Sequence, residues 1–136
     1  MTYDEFLAAL CIWREARGSS LATKTAIWAV IQNRTTDQQH RWPKTVSGVI
    51  AQKWQFSSMT GIGDPNLLLY PVESNPPSMD WTAFLDCQSV VESPLNADPT
   101  SGATAYESLP ESAAKPHWAD PAKITLTLAN TRFYKL

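Results

Sequence analysis

Glu15 is the residue of this sequence best placed for acid–base chemistry. It falls one turn after Cys11 and Ile12 and two turns after Leu7, at the edge of an apolar stripe and in the last turn of the first expected helix. There the negative end of the helix dipole disfavours a carboxylate, and partial burial disfavours it again, so both raise its pKa. A carboxylic acid still protonated near neutrality can give its proton to a leaving oxygen. Arg14 and Arg17 pull the other way by favouring the ionised form. The plainer reading is a glutamate paired with Arg17, or with Arg34 on the next helix, and spacing leaves both readings open. Metal chemistry is poorly supplied. His40 and His117 lie far apart and no Cys-x-x-Cys occurs, so neither metal nor cofactor is expected. Cys11 and Cys87 fall on expected helices and read as buried free thiols.

The elements that must hold Glu15 begin with a capping box, Thr2-x-x-Glu5, followed by Phe6, Leu7, Leu10 and Trp13 at helical spacing. This predicts a helix over 3–17, stopped by Gly18. A second helix over 20–34, capped by Ser19 or Ser20, would bury Ala26, Ile27, Val30 and Ile31. Residues 35–44 are a polar loop, and a short helix from Thr45 turns Val46, Val49 and Ile50 inward. Between 56 and 79 the periodicity vanishes among Gly61, Gly63, Pro65, Pro71, Pro76 and Pro77, as in a long functional loop. A helix over 80–92 follows, with Trp81, Phe84, Leu85, Gln88 and Val91 along one side. Segments 103–107, 124–128 and 132–135 alternate and are rich in β-branched or aromatic residues. The expected fold is α+β, mainly helical with a small C-terminal antiparallel sheet or hairpin, in a single domain spanning 1–136.

Composition narrows the function. The 136 residues are 43% hydrophobic and 18% charged, with Trp 6, Tyr 4 and Phe 4, which is unlike a disordered chain. No apolar run is long enough to cross a bilayer. The net charge of -2, with no clustered Arg and Lys, argues against a nucleic-acid partner. Two cysteines cannot staple a domain of this size. Met1-Thr2-Tyr3-Asp4-Glu5 lacks the basic and apolar regions of an export signal, so a cytoplasmic product is expected, and a monomer.

The string Cys11-Ile12-Trp13-Arg14-Glu15-Ala16-Arg17-Gly18 resembles the Glu-Ala-Arg-Gly signature of the spore-cortex-lytic-enzyme-type cell wall hydrolases, a family that includes phage and prophage endolysins. Further likenesses follow in the family's order. Ile31-Gln32-Asn33-Arg34 resembles its Leu-Asn-Arg helix end. Trp42-Pro43-Lys44-Thr45-Val46-Ser47-Gly48-Val49-Ile50 is similar to its Phe-Pro-x-Thr-Val-x-Gly-Val-Ile segment. Gln55-Phe56-Ser57 matches Gln-Phe-Ser, and Gly63-Asp64-Pro65-Asn66 follows as in many members. Asp98-Pro99-Thr100-Ser101-Gly102-Ala103-Thr104 resembles Asp-Pro-Thr-Gly-Gly-Ala-Thr, and Arg132-Phe133-Tyr134 the closing Arg-Phe-Tyr.

The resemblance implies a lysozyme-like fold that cuts peptidoglycan glycan strands, with Glu15 as catalytic acid. It places Gln55 and Ser57 on a cleft wall, where amide and hydroxyl groups would meet sugar polar groups; Phe56 between them reads as core. Thr104 and Tyr106 alternate with Ala103 and Ala105 and would share a strand face. Tyr106 would then reach substrate or Glu15, or else cap the sheet edge. Trp118 and Tyr134 are candidate sugar platforms, Asn33 a helix cap or else a contact for an N-acetyl group, Asp98 to Gly102 a structural turn, and 61–66 a lid. The sequence departs from the family at Ser19, Ala105, Glu107 and Thr131, so roles carried there by a glutamate or histidines do not transfer. With one strongly indicated carboxylate, the implied route is a lytic transglycosylase, in which the substrate's own C6 hydroxyl replaces water. The alternatives are a muramidase using Asp64 or Glu73 as second carboxylate, and a non-catalytic glycan-binding module. The setting implied is an endolysin that waits in the host cytoplasm until a membrane pore opens.

Overall fold

The computed structural model describes residues 1–110 and 115–136. Helix α1 (Tyr3–Ala16) starts with the expected capping box: the Glu5 N–H donates to Thr2 Oγ1 at 3.1 Å and the Thr2 N–H to Glu5 Oε2 at 2.7 Å. The one-sided stripe expected of α1 gives way to a central helix. From Ala8 to Ala16 every residue except Glu15 is buried, and small Ala8, Ala9, Cys11 and Ala16 let neighbours close in on several sides. Phe6, 43% exposed, rests edge-on against Phe84 instead of entering the core.

Four helices surround α1. Helix α2 (Leu21–Thr35) is capped by Ser20, whose hydroxyl accepts from the Thr23 N–H, and it buries the four residues expected of it. Helix α3 (Val46–Ala51) starts from Thr45 and buries Val49 and Ile50. The segment 56–79 is not structureless. It holds helix α4 (Ser57–Thr60) and a 3-10 turn, Pro65–Leu68, started by Asp64 with Pro65 at its first position. Gly61 closes α4 by donating its N–H to Ser57 O at 2.7 Å, and a Cβ there would meet that oxygen at 2.8 Å. Helix α5 (Met79–Glu92), capped by Ser78, packs Ala83, Phe84, Cys87, Val90 and Val91 inward. Its stripe is rotated from the expected one, and Leu85 faces outward at 42% exposure, because small Ala83 and Cys87 make the closer approach. The Trp13 indole locks α1 to α5 by donating to Asp80 O at 2.9 Å.

The C-terminal strands form one antiparallel sheet in the order β1-β3-β2: β1 (Ala105–Ser108), β2 (Ile124–Leu128) and β3 (Thr131–Tyr134). Tyr106 pairs with Phe133 and Glu107 with Arg132, so these two side chains of β1 leave on opposite faces. Asn33 is not the helix cap expected of it. Its amide donates to Asp98 Oδ2 and to Ala103 O, each at 2.9 Å, and so ties the end of α2 to the chain entering β1. Asp98 in turn accepts from the Thr100 and Gly102 N–H groups at 2.8 and 2.7 Å, which makes 98–102 the structural turn anticipated. The architecture is the mainly helical α+β class expected. No described helix is long and apolar enough to cross a membrane.

Candidate active site

Glu15 interrupts the buried run of α1 and points to the floor of a cleft of about 390 Å³. The Ser58 hydroxyl donates to its Oε1 at 2.7 Å. Neither Arg17 nor Arg34, the partners expected for it, takes it, and nor does Arg14. Arg14 is turned inward, donating to Leu69 O at 3.0 Å and Ser58 O at 3.1 Å, with Tyr70 under its guanidinium. Arg17 lies over Trp13, donates to Asn66 Oδ1 at 3.1 Å and stands 3.8 Å from Asp80. Arg34 is buried between Trp42 and Phe56 and donates to Thr104 O at 2.7 Å. Among the described residues, no ion pair includes Glu15.

Water reaches Glu15 from the cleft, yet protein walls crowd it, and this loss of solvation pushes its pKa above the ordinary glutamate value. The Ser58 hydroxyl opposes that shift, the Asp64 charge adds to it, and hydrogen bonding from Tyr106 opposes it again; the net direction is up.

The cleft gathers Glu15, Gln55, Ser57, Tyr106 and Trp118, as the sequence suggested, and adds Arg34, Trp42 and Trp54. Two candidates fall outside it. Thr104 is buried just before β1, its carbonyl taken by Arg34 and its hydroxyl accepting from the Leu136 N–H at 3.4 Å. Tyr134 is 1% exposed and packs edge-on behind Trp118, with ring centroids 5.4 Å apart, so it supports a possible platform without being one. Ser58 was missed. Adjacent positions on a helix diverge by about 100°, so only one of Ser57 and Ser58 can face α1, and sequence does not say which. Ser57 instead donates to Asp64 Oδ2 at 2.6 Å.

The other carboxylates are differently employed. Asp64 accepts from Ser57 with one oxygen and from the Asn66 N–H at 2.8 Å with the other, and these bonds hold its pKa below the ordinary aspartate value. Glu73 is exposed in the irregular segment after the 3-10 turn and does not line the cleft. Glu107 does line it, but both its oxygens are buried. Burial first, and then the neighbouring Glu107, raise the pKa of the Tyr134 phenol. On its other side Glu15 borders a more open depression of about 510 Å³, walled by Arg17, Ser19, Asn66 and Asn130. Glu15 therefore lines both hollows. No three described His, Cys, Asp or Glu side chains are grouped to hold a metal ion.

A family model for cell wall hydrolases matches residues 18–134, starting just past Glu15. Two solved structures are similar over nearly the whole chain. One is the catalytic domain of the germination-specific lytic transglycosylase SleB from Bacillus anthracis, with TM-score 0.66 and 26% identity, covering 99% of this chain and 97% of that one. The other is the catalytic domain of the Bacillus cereus SleB protein, with TM-score 0.64 and 29% identity, covering 97% and 89%. No curated protein sequence matches.

Proposed function

The chain belongs to the cell wall hydrolase family, and on that premise we propose that it is a peptidoglycan lytic transglycosylase whose acid and base is Glu15. It cuts between N-acetylmuramic acid and N-acetylglucosamine. The observation that carries this reading is a glutamate with a raised pKa, free of any arginine, on the floor of an aromatic-walled cleft.

Protonated Glu15 gives its proton to the glycosidic oxygen as the C1–O bond breaks. The substrate's N-acetyl carbonyl stabilises the electron-poor C1. The C6 hydroxyl of the same muramic residue then attacks C1 and returns its proton to Glu15, leaving a 1,6-anhydro end. A hydrolytic route needs a second carboxylate free to activate water. Both oxygens of Asp64 are engaged, Glu73 stands outside the cleft and the Glu107 oxygens are buried, so all three favour the intramolecular route.

Mass spectrometry of purified peptidoglycan after digestion tests this. Anhydro-muramic ends from the wild type, and none from Glu15→Gln, are expected. Products bearing a full added water would establish the muramidase instead, and no cleavage at all would leave a glycan-binding module. The proposal extends to a phage endolysin: produced inside a bacterium, the chain should lyse it only when a membrane pore is opened.

A further inference from the structure

Beside the Glu15 cleft lies a second hollow of about 480 Å³, bounded by Lys53, Trp54, Thr60, Ile62 and Asp64. The two hollows share Trp54 and Ser57 in their walls, so they adjoin at these residues. Trp54 is 84% exposed, whereas Trp13 and Trp28 are buried, and Ile62 beside it is wholly exposed. Its φ of 71° lies in the left-handed region, which a bulky residue adopts only where its surroundings hold it. The Lys53 ammonium stands 5.0 Å over one face of the ring, leaving the other to solvent.

We propose that this second hollow is a further saccharide subsite with Trp54 as its platform, taking a sugar of the same glycan strand whose scissile bond lies at Glu15. The inference rests on the function proposed above. A pyranose presents a face of C–H groups that packs against an aromatic ring, and its edge carries hydroxyl and acetamido groups. Trp54 supplies the ring, while the oxygens of Ser57, Thr60 and Asp64, each keeping a lone pair beyond the bonds it already makes, can accept from sugar hydroxyls. The occupant is the glycan because the hollow adjoins, across Trp54 and Ser57, the cleft proposed above to take it. A ring in the walls of both hollows adds most contact area for a ligand that occupies both.

Binding to the Glu15→Gln protein, which cannot cut, provides the test. Tetrasaccharides and long glycan strands prepared from peptidoglycan are titrated against Glu15→Gln and against Glu15→Gln with Trp54→Gly. Glycine takes the left-handed backbone freely, so this change removes the ring while relieving strain. The expected result is a loss of about 3- to 10-fold in affinity for long strands, a smaller loss for tetrasaccharides, and recovery with Trp54→Phe. In the active protein the same loss falls on KM rather than kcat. Equal affinity with and without the ring overturns the subsite, as does an equal loss for short and long ligands. Sedimentation that shows a dimer broken by Trp54→Gly, with glycan affinity unmoved, overturns it in favour of a second copy docking there. Anhydro products from a protein indifferent to Trp54 would remove this subsite and leave the proposed reaction standing. Trp54-dependent binding without any cleavage would do the reverse.

Discussion

The Ser58 hydroxyl donates to Glu15 Oε1 at 2.7 Å, so the group that fixes the acid in place also draws its pKa down. Burial has the larger influence and leaves the pKa raised. Ser58 is itself held: it is buried, and its carbonyl accepts from Arg14, Glu15's neighbour on α1. The contact thus spans two elements far apart in the chain and sets both the position and the proton affinity of one carboxyl.

Ser58→Ala removes a donor that favours the ionised form, so the Glu15 pKa rises further. A general acid works while protonated, and the alkaline limb of kcat/KM against pH should move upward. Tyr106→Phe should move it the same way by less, since its hydrogen bond is the weaker influence. A limb that moves toward acid in either variant would show that Glu15 does not own it.

Asp64→Asn has the opposite sign. The Asp64 charge raises the Glu15 pKa, so neutralising it should lower the alkaline limb, while an asparagine oxygen can still accept from the Asn66 N–H. Activity on the acid side of the profile should survive within about tenfold. A loss of more than about a hundredfold at every pH would mark Asp64 as a base and restore the water-using mechanism.

What was legible in the sequence was local. The Thr2 and Glu5 box, the Ser20 and Thr45 caps and the turn around Asp98 are signals carried within a few residues, and the structure realises each. The position of Glu15 at an edge of α1 came from the same source. What was hidden depends on distant partners. Whether Arg14, Arg17 or Arg34 would neutralise Glu15 turned on Leu69, Asn66 and Thr104, which only the fold brings near. The helical face of Ser58, the inward turn of Tyr134 and the role of Asn33 as a cross-link are of this kind. Proline and glycine masked α4 and the 3-10 turn because both are shorter than a reliable hydrophobic period.

Asn33→Ala should lower stability without touching the cleft, by about 1–3 kcal/mol for the bonds lost. Burial raises the Asp98 pKa, but hydrogen bonds from Thr100, Asn33 and Gly102 outweigh it, and the carboxyl stays below its ordinary value. A depressed folded pKa means stability present above the unfolded pKa and lost as pH falls through the folded one. The gap in Tm between wild type and Asn33→Ala should therefore be wider near neutrality than in strong acid. A constant gap would assign the loss to the Ala103 carbonyl bond alone.

Glu15→Gln should abolish cleavage and, at neutral and alkaline pH, make the protein more stable. The wild-type carboxyl has a folded pKa raised chiefly by burial. Its contribution is fully favourable below the unfolded pKa and declines as pH climbs through the folded value, where a charge must form against those walls. Glutamine has no proton to lose, and its Oε1 can still accept from Ser58. Thermal melts between about pH 4 and about pH 9 should show the variant's advantage opening across the glutamate range and closing toward acid. A variant less stable at every pH would mean that the Ser58 contact with the carboxylate outweighs the cost of crowding it, and the raised pKa on which the acid's role depends would be lost with it.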